Sequence, residues 1–380
     1  MNKPFLCDAP SEKTLFSSTN LNAQNCHIVR RNIDTGWINT GSIAPKNIPS
    51  SAKADWKNNK PIFLPAFFNE AIKSHTTEIE SSERLYHSML EGKAIDELLD
   101  QPEYLTRLGE RFELLSTRFD ESDRQELVSV DFDAMENGEL AMEDIWMRVS
   151  WLSFLETEES LRFRFSFGME GFDDVSLDLD RQLAAADLCE RLFPESGLIS
   201  KSEPLKQLLK DLTSLEDLYY LERIVYYNAK NGGAQFHHDA EKGHLGVVYA
   251  QLTGQTLWLA LSKEALIKEI QIFLSDVDQL AGVKSVVSCD EGYEQIVKAG
   301  KDKEVLECLL DDPTNDEISE FLNGSSAFFA HIMAQDYSYV LRPGDVMLLP
   351  QESMANCAWH SVFCLGEKAG QALSFAIKPA

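Results

Sequence analysis

An α+β fold is predicted for this chain of 380 residues, with helices in the N-terminal half and one late insertion, and short strands elsewhere that close as a barrel or sandwich. Three observations predict it: helix-period leucine stripes before residue 216, strict alternation in LRFRFSF (Leu161–Phe167), and a run of short strands separated by glycine turns after Leu221.

The first eighty residues read as irregular, rich in Asn, Ser, Thr and Pro, apart from an apolar segment from Pro61 to Phe68 that is expected to enter the fold as a strand. From Ser82 the pattern turns helical, and Leu105, Leu108, Phe112 and Leu115 share one helix face. In LRFRFSF, Leu161, Phe163, Phe165 and Phe167 point one way, and Arg162, Arg164 and Ser166 the other. This is a half-buried strand expected to pair with the run from Trp146 to Phe154. A further helix is capped by Ser202, carries Pro204 in its first turn, and buries Leu205, Leu208, Leu209, Leu212 and Leu215. After Leu221 come strand-like IVYYNA, QFHHDA and VVYAQLTGQTLWLAL. Ser262 then opens a helix whose stripe is Leu266, Ile267, Ile270, Phe273, Leu274 and Val277. Residues 263–323 hold 15 acidic residues against 6 lysines, read as a solvated helical insertion or, more sharply, as a lid or dimer surface. Strands return from Ser338 as YVL, VMLLP after a Pro-Gly-Asp turn, WHSVFC and QALSFAIK. The domain division expected is 1–140, extended and helical, and 141–380, the strand-rich core with helical elements at 179–220 and the insertion at 263–323.

Composition narrows the partners. With 35 basic and 62 acidic residues the net charge is -27, which repels phosphate backbones and anionic lipid, so neither nucleic acid nor a membrane is an expected partner. No window approaches the roughly 18 apolar residues of a membrane span. Seven scattered cysteines without a CxxC pair read as reduced, buried thiols, and the chain as cytoplasmic.

The chemistry-bearing pattern is in QFHHD. His237 and Asp239 are i and i+2 on a strand, so both leave one face, while His238 points away and is read as packed or hydrogen-bonded there. His360 lies on another short strand that a rolled sheet could bring alongside. Two histidines and one carboxylate, leaving three positions open, make the facial triad of non-haem Fe(II) sites. His244 reads as an exposed turn residue, Tyr226, Tyr227 and Tyr249 as core or rim aromatics, Cys357 and Cys364 as buried thiols, and His331 receives no role.

In order, QFHHD, AQLTGQTLWLALS, LRPGDVMLLP, AWHSVFC and LSFAIK resemble the Jumonji-C and cupin-like branch of the Fe(II)/2-oxoglutarate-dependent oxygenases, over roughly residues 221–262 and 338–378. The resemblance implies a double-stranded β-helix (jelly-roll, cupin-like) core, with His237, Asp239 and His360 as metal ligands and catalytic residues, and Fe(II) with 2-oxoglutarate as cofactor and co-substrate. It implies hydroxylation of a C–H bond on a small-molecule or peptide substrate; a retained Asp239 speaks against halogenation. Gln251, Gly254 and Trp258 match a structural strand, and Pro343, Gly344 and Asp345 the turn. Thr256 stands where many members carry the lysine that pairs with the co-substrate's distal carboxylate, and its hydroxyl supplies no charge. Lys378, on the final strand, and Lys368, in the loop before it, are candidates for that cation, followed by Arg162 and Arg164. Alternatives are a metal-dependent cupin enzyme that does not use 2-oxoglutarate and a non-catalytic binding protein of the same fold. A homodimer through the insertion is a further expectation.

Overall fold

The computed structural model describes residues 6–7, 25–44, 46–49, 51–118, 126–153, 155–165, 169–170, 173–174, 178–240, 243–312 and 314–380. Phe154, Ser166 and Phe167 lie outside them. In chain order the strands are β1 (Leu6–Cys7), β2 (Asn25–Arg30), β3 (Ile33–Asn39), β4 (Ile62–Leu64), β5 (Phe112–Arg118), β6 (Glu126–Glu136), β7 (Glu139–Trp151), β8 (Leu161–Phe165), β9 (Met169–Glu170) and β10 (Asp173–Asp174). There follow β11 (Leu218–Asn228), β12 (Gly233–His237), β13 (Gly246–Gln251), β14 (Gln255–Ser262), β15 (Ser338–Leu341), β16 (Val346–Pro350), β17 (Ala358–Leu365) and β18 (Gly370–Pro379).

A nine-stranded sheet runs β4-β16-β13-β18-β11-β8-β7-β6-β5, and a four-stranded sheet runs β12-β17-β14-β15. From β11 onward the chain passes between the two sheets, and every pairing within them is antiparallel. Between the sheets an apolar cluster holds Tyr249, Met347 and Leu349 from one and Trp258, Val362 and Ala358 from the other. VMLLP and AWHSVFCL read as unbroken apolar runs because both faces of β16 and β17 are buried. β8, covered on one face only, keeps its alternation.

Each outer face has its own helical cover. Helices 76–90, 179–192 and 203–213 pack on the large sheet, with Leu188, Leu205, Leu209, Phe163 and Phe375 in one core. The insertion covers the small sheet: Leu257, Leu259 and Phe363 meet Ile270, Phe273, Leu306 and Phe321. Apart from buried Glu269 its acidic residues are exposed or half-exposed, and its apolar face is committed to the sheet. Burying each Leu or Ile there contributes about 1.5–3 kcal/mol.

Several expectations change. The stripe Leu105 to Leu115 is not one helix: the helix Pro102–Leu108 stops at Gly109, whose φ is 58°, and β5 begins at Phe112. Leu105 and Leu115 are accordingly exposed. Val277 leaves its helix stripe because Asp276 caps a second helix, and it is exposed. Of the cysteines whose side chains are described, Cys289 and Cys308 are exposed and Cys26, Cys189, Cys357 and Cys364 are buried, all free. The division at residue 140 falls inside β7, and β4, β5 and β6 join the same sheet as the C-terminal strands. No helix among the described residues is long and apolar enough to cross a membrane.

Arg30, from the hairpin β2–β3, is buried beneath the small sheet. Its Nη1 donates to the Ala234 carbonyl on β12 and to Ser361 Oγ on β17 (2.6 Å), and its Nη2 donates to Asn323 Oδ1 of the insertion at 3.0 Å. The guanidinium lies 4.4 Å from the Phe363 ring centroid, and burial presses its pKa down to about 9. Arg30→Ala removes three charge-assisted hydrogen bonds to buried oxygens and leaves a void against the Phe363 ring, so a loss of about 3 kcal/mol in urea unfolding is expected. Arg30→Lys, which cannot span both Ser361 and Asn323, should recover only part of it; wild-type stability in Arg30→Ala would show that the hairpin is a passive cover.

Candidate functional site

His237 and His360 are direct cross-strand partners of β12 and β17, although 123 residues (360 minus 237) separate them in sequence. A register irregularity between Ala234 and His237 adjusts the end of β12. Gly233, at φ 124°, lets the strands approach, because a Cβ there would collide with the Val362 carbonyl. The two imidazoles lie 4.1 Å apart, and Trp258 stacks on His360 at 5.1 Å and 15°. Asp239, just past β12, completes the group: Oδ1 is 3.4 Å from His237 Nε2 and Oδ2 is 3.6 Å from His360 Nε2.

Three donor atoms of these residues fall within 4.8 Å of one another. Ligands bound about 2.1 Å from one ion at right angles stand about 3 Å apart, so the set needs little closure to hold a cation. His237 Nδ1 donates to the Gln235 carbonyl at 2.7 Å, which fixes the tautomer and leaves the Nε2 lone pair toward Asp239. Burial lowers the basicity of His237, but the Asp239 carboxylate outweighs it and the pKa is raised. For His360 burial dominates, His237 adds to it, and the pKa falls to about 3, so the ring is a neutral ligand. Burial opposes ionisation of Asp239, yet His360 and His237 hold its carboxyl well below the ordinary range.

The triad lines a cavity of about 390 Å³ between the sheets, within the size range of small-molecule sites. Its other polar walls include Arg31, Arg162, Glu222, Asn228, His244 and Tyr249. Tyr226 also lines it, whereas Tyr227 faces the helices and stacks on Tyr86 at 4.6 Å. His238 turns away, its Nδ1 accepting from Ala240 N–H at 3.2 Å and its ring against Trp359. His331 sits on the helix Ser326–Ala334 that follows the insertion, 2.8 Å from Glu269.

The expected co-substrate residues are placed differently. Thr256 is fully buried and engaged on both sides: its hydroxyl donates to Gln251 Oε1 at 2.9 Å and accepts from Trp258 Nε1 at 3.0 Å. Lys378 is buried with Nζ 3.1 Å from Glu222 Oε1, and Lys368 is exposed on the loop after β17. Neither lysine lines the cavity. Arg162 does, because β8 pairs with β11 and sets Arg162 opposite Tyr226, with Arg162 Nε donating to Ser150 Oγ at 2.9 Å.

His244, expected at an exposed turn, is buried, with Nε2 2.7 Å from Glu222 Oε2. Glu222 has a positive φ of 50° in the bulge that interrupts β11 between Leu221 and Ile224. Such bulges re-aim side chains. The charged pair Glu222-Arg223 inside the apolar strand LYYLERIVYYN was the one sequence signal for this cluster.

No protein-family model matches the chain, and no curated protein matches it. Among solved structures, a 2OG-Fe(II) oxygenase family oxidoreductase from Burkholderia pseudomallei is similar at 10% identity and TM-score 0.27, covering 88% of this chain and 93% of that one. The ribosomal oxygenase YcfD of Escherichia coli is similar at 10% identity and TM-score 0.25 over 74% of this chain and 44% of its own. A second E. coli ycfD structure gives 13% and 0.29, over 88% and 54%. Overlays this loose carry no weight on chemistry, which rests on the residues of the site.

Proposed function

We propose that this chain is a non-haem Fe(II)- and 2-oxoglutarate-dependent oxygenase that hydroxylates a C–H bond of a small molecule or peptide. The observation that carries the reading is the convergence of His237, Asp239 and His360 at the wall of a cavity between the sheets, two imidazoles and one carboxylate. Nitrogen and carboxylate donors with positions left open suit ferrous iron better than a closed structural zinc site. The strand orders β11-β18-β13-β16 and β12-β17-β14-β15 support reading the core as a double-stranded β-helix, or jelly roll. Residues 141–380 would then be the oxygenase core, with β5 to β8 as an extension of its sheet, and free cysteines fit the cytoplasm.

Bound iron with 2-oxoglutarate and dioxygen would supply the oxidising power. The protein's part is to hold His237 and His360 in their ligating tautomers and to keep Asp239 ionised. It also has to place the co-substrate, and Arg162 is the cation for that. It lines the cavity wall at the level of Tyr226 on β11 and Ala372 on β18. A planar guanidinium binds a carboxylate by two parallel hydrogen bonds. A cupin enzyme whose substrate itself chelates the metal is the second reading, favoured by the full engagement of Thr256.

Anaerobic titration of the iron-loaded protein with 2-oxoglutarate separates the two: the weak visible metal-to-ligand band is expected, and its absence would favour the second reading. His237→Ala, Asp239→Ala and His360→Ala should each abolish the band and turnover while leaving the circular dichroism spectrum unchanged, since an open catalytic site seldom supplies a domain's stability. Retained turnover in any one of them removes that residue from the site.

Arg162→Ala should raise the apparent KM for 2-oxoglutarate by about tenfold or more, the weight of a charge-assisted hydrogen bond in a dry site, with Fe(II) affinity unchanged. Lys378→Ala should instead lower the melting temperature, because Glu222 keeps a buried charge without its cation. If Lys378→Ala moves KM and Arg162→Ala does not, the anchor is on β18.

A further inference from the structure

The cavity wall carries two arginines, and the proposed chemistry uses only Arg162. The other, Arg31, sits at the tip of the hairpin β2–β3. Arg30 pairs with Ile33, so Arg31 and Asn32 form a two-residue turn, with φ of 49° and 63°. Such turns favour Asn and Gly, and an arginine has no preference for the left-handed backbone it adopts there. The tip is firmly pinned. Arg31 N–H donates to the Asn231 carbonyl at 2.8 Å and Asn32 N–H to Asn231 Oδ1 at 2.8 Å, while Asn231 Nδ2 donates to Asn32 Oδ1 at 2.8 Å and to Thr157 Oγ1 at 3.1 Å. Asn231 stands just before β12, the strand of His237, so the turn fixes the base of the Arg31 side chain relative to the metal ligands.

Farther out, Nη2 donates to the Leu152 carbonyl at 3.1 Å, and Nε is enclosed. Nη1 has no partner among the described residues and, unlike Nε, is not sealed off, and the half-buried side chain lines the cavity. No described carboxylate forms an ion pair with it. Glu158 acts on it only from a distance: burial raises that carboxyl, and Ser160 and Arg31 oppose this in part. Leu152 lies two residues past Ser150, to which Arg162 donates, about 7 Å along an extended chain. The two guanidinium groups are therefore held at separate places on one wall. Gln235, on β12 before His237, also lines the cavity half-buried, and its side-chain amide has no partner among the described residues.

We propose that Arg31 determines substrate specificity by binding a carboxylate of the substrate, with the Gln235 amide as a second donor on the same wall. A guanidinium fixed at a cavity wall and short of partners is complementary to an anion. The co-substrate's distal carboxylate occupies one arginine, which leaves Arg31 for a second. One charge and two oxygens match a guanidinium edge with a neutral amide, whereas phosphate brings nearly two charges and three oxygens. The substrate class is thus a small molecule bearing a carboxylate, whose chain runs from Arg31 across the cavity toward the triad. This names the substrate for the oxygenase reading and rests on it, although carboxylate binding at Arg31 needs no metal.

The test uses the metal-free full chain carrying Arg162→Ala, which removes the co-substrate anchor, and saturation-transfer NMR with butyrate, butyramide and inorganic phosphate as probes. Butyrate should bind, and the neutral butyramide should not. Adding Arg31→Gln should weaken butyrate about tenfold, the weight of a charge-assisted hydrogen bond. Adding Arg31→Lys instead, which keeps the charge, should stay within about threefold, and Gln235→Leu should cost about threefold. Circular dichroism confirms that the variants fold. No butyrate signal, butyramide or phosphate binding as well as butyrate, or equal butyrate affinity with Arg31→Gln overturns the proposal. In the iron-loaded protein Arg31→Gln, with Arg162 intact, should leave 2-oxoglutarate affinity within about threefold; a larger loss would make Arg31 part of the co-substrate anchor and overturn it too. The Fe(II)–2-oxoglutarate band of the wild type tests the oxygenase reading separately, because no butyrate enters that measurement.

Discussion

The site depends on one strand register, which sets His237 directly opposite His360. A slip of one residue would send one imidazole to the far face of the sheet, where the insertion packs. The register is held from several directions. Gly233 permits the close approach of β12 to β17, and Trp258 on β14 stacks on the His360 ring. Arg30 bonds to both ligand strands from behind, and Asn323, which accepts from Arg30, also accepts the Phe236 N–H at 2.7 Å. The N-terminal hairpin and the acidic insertion therefore meet on the back of the two strands whose front faces present the histidines. A buried arginine with three oxygen acceptors drawn from two strands and the insertion is costly to form and specific once formed, because few other packings would satisfy it.

Charge is distributed against the average of the molecule. Over the whole chain acidic residues exceed basic ones by 27, yet the cavity wall carries Arg31 and Arg162 besides the histidines. At the opposite end Glu222 is offset by Lys378 within the protein. A cation at the triad and an anionic co-substrate near Arg162 would thus meet complementary groups, while the far end stays near neutral. Buried ionisable groups persist in folded proteins when paired or hydrogen-bonded. The ones here sort into pairs that are closed, such as Lys378 with Glu222, and groups whose pairing is open toward the cavity.

How much was legible in the sequence differs by element. Alternation exposed β8, since one face is half-open, and the capping residues Ser202 and Ser262 marked their helices, each accepting from the N–H three residues on. His237 and Asp239 were visible as a pair by spacing alone. The partnership with His360 needed the resemblance, since no local pattern encodes a pairing 123 residues apart. Leucine spacing misled at Leu105–Leu115 because a 3.6-residue stripe and a helix followed by an alternating strand share those positions, and only the glycine at 109 separates them. Arg30 looked like one residue of an irregular N-terminus, and His244 like a turn residue. Their burial is set by long-range contacts with Ser361, Asn323 and Glu222, which leave no local trace.

The threonine at position 256 ties these points together. With an uncharged residue there, Thr256, Gln251, Trp258, Tyr249 and Asn228 close into one hydrogen-bonded chain, Asn228 Nδ2 donating to Tyr249 Oη at 3.0 Å and Tyr249 Oη to Gln251 Oε1 at 3.2 Å. A lysine inserted into that chain would bury an ammonium among groups already satisfied, a cost repaid only by a bound anion. The chain instead brings a cation in from the side. β8 lies outside the eight strands β11–β18 that make up the two facing layers, joined to them through β11, and its pairing with β7 places Ser150 against Arg162. The extension of the large sheet is thereby more than cover. It carries Arg162 to the cavity wall, where the proposed co-substrate would meet a guanidinium in place of the charge that Thr256 lacks.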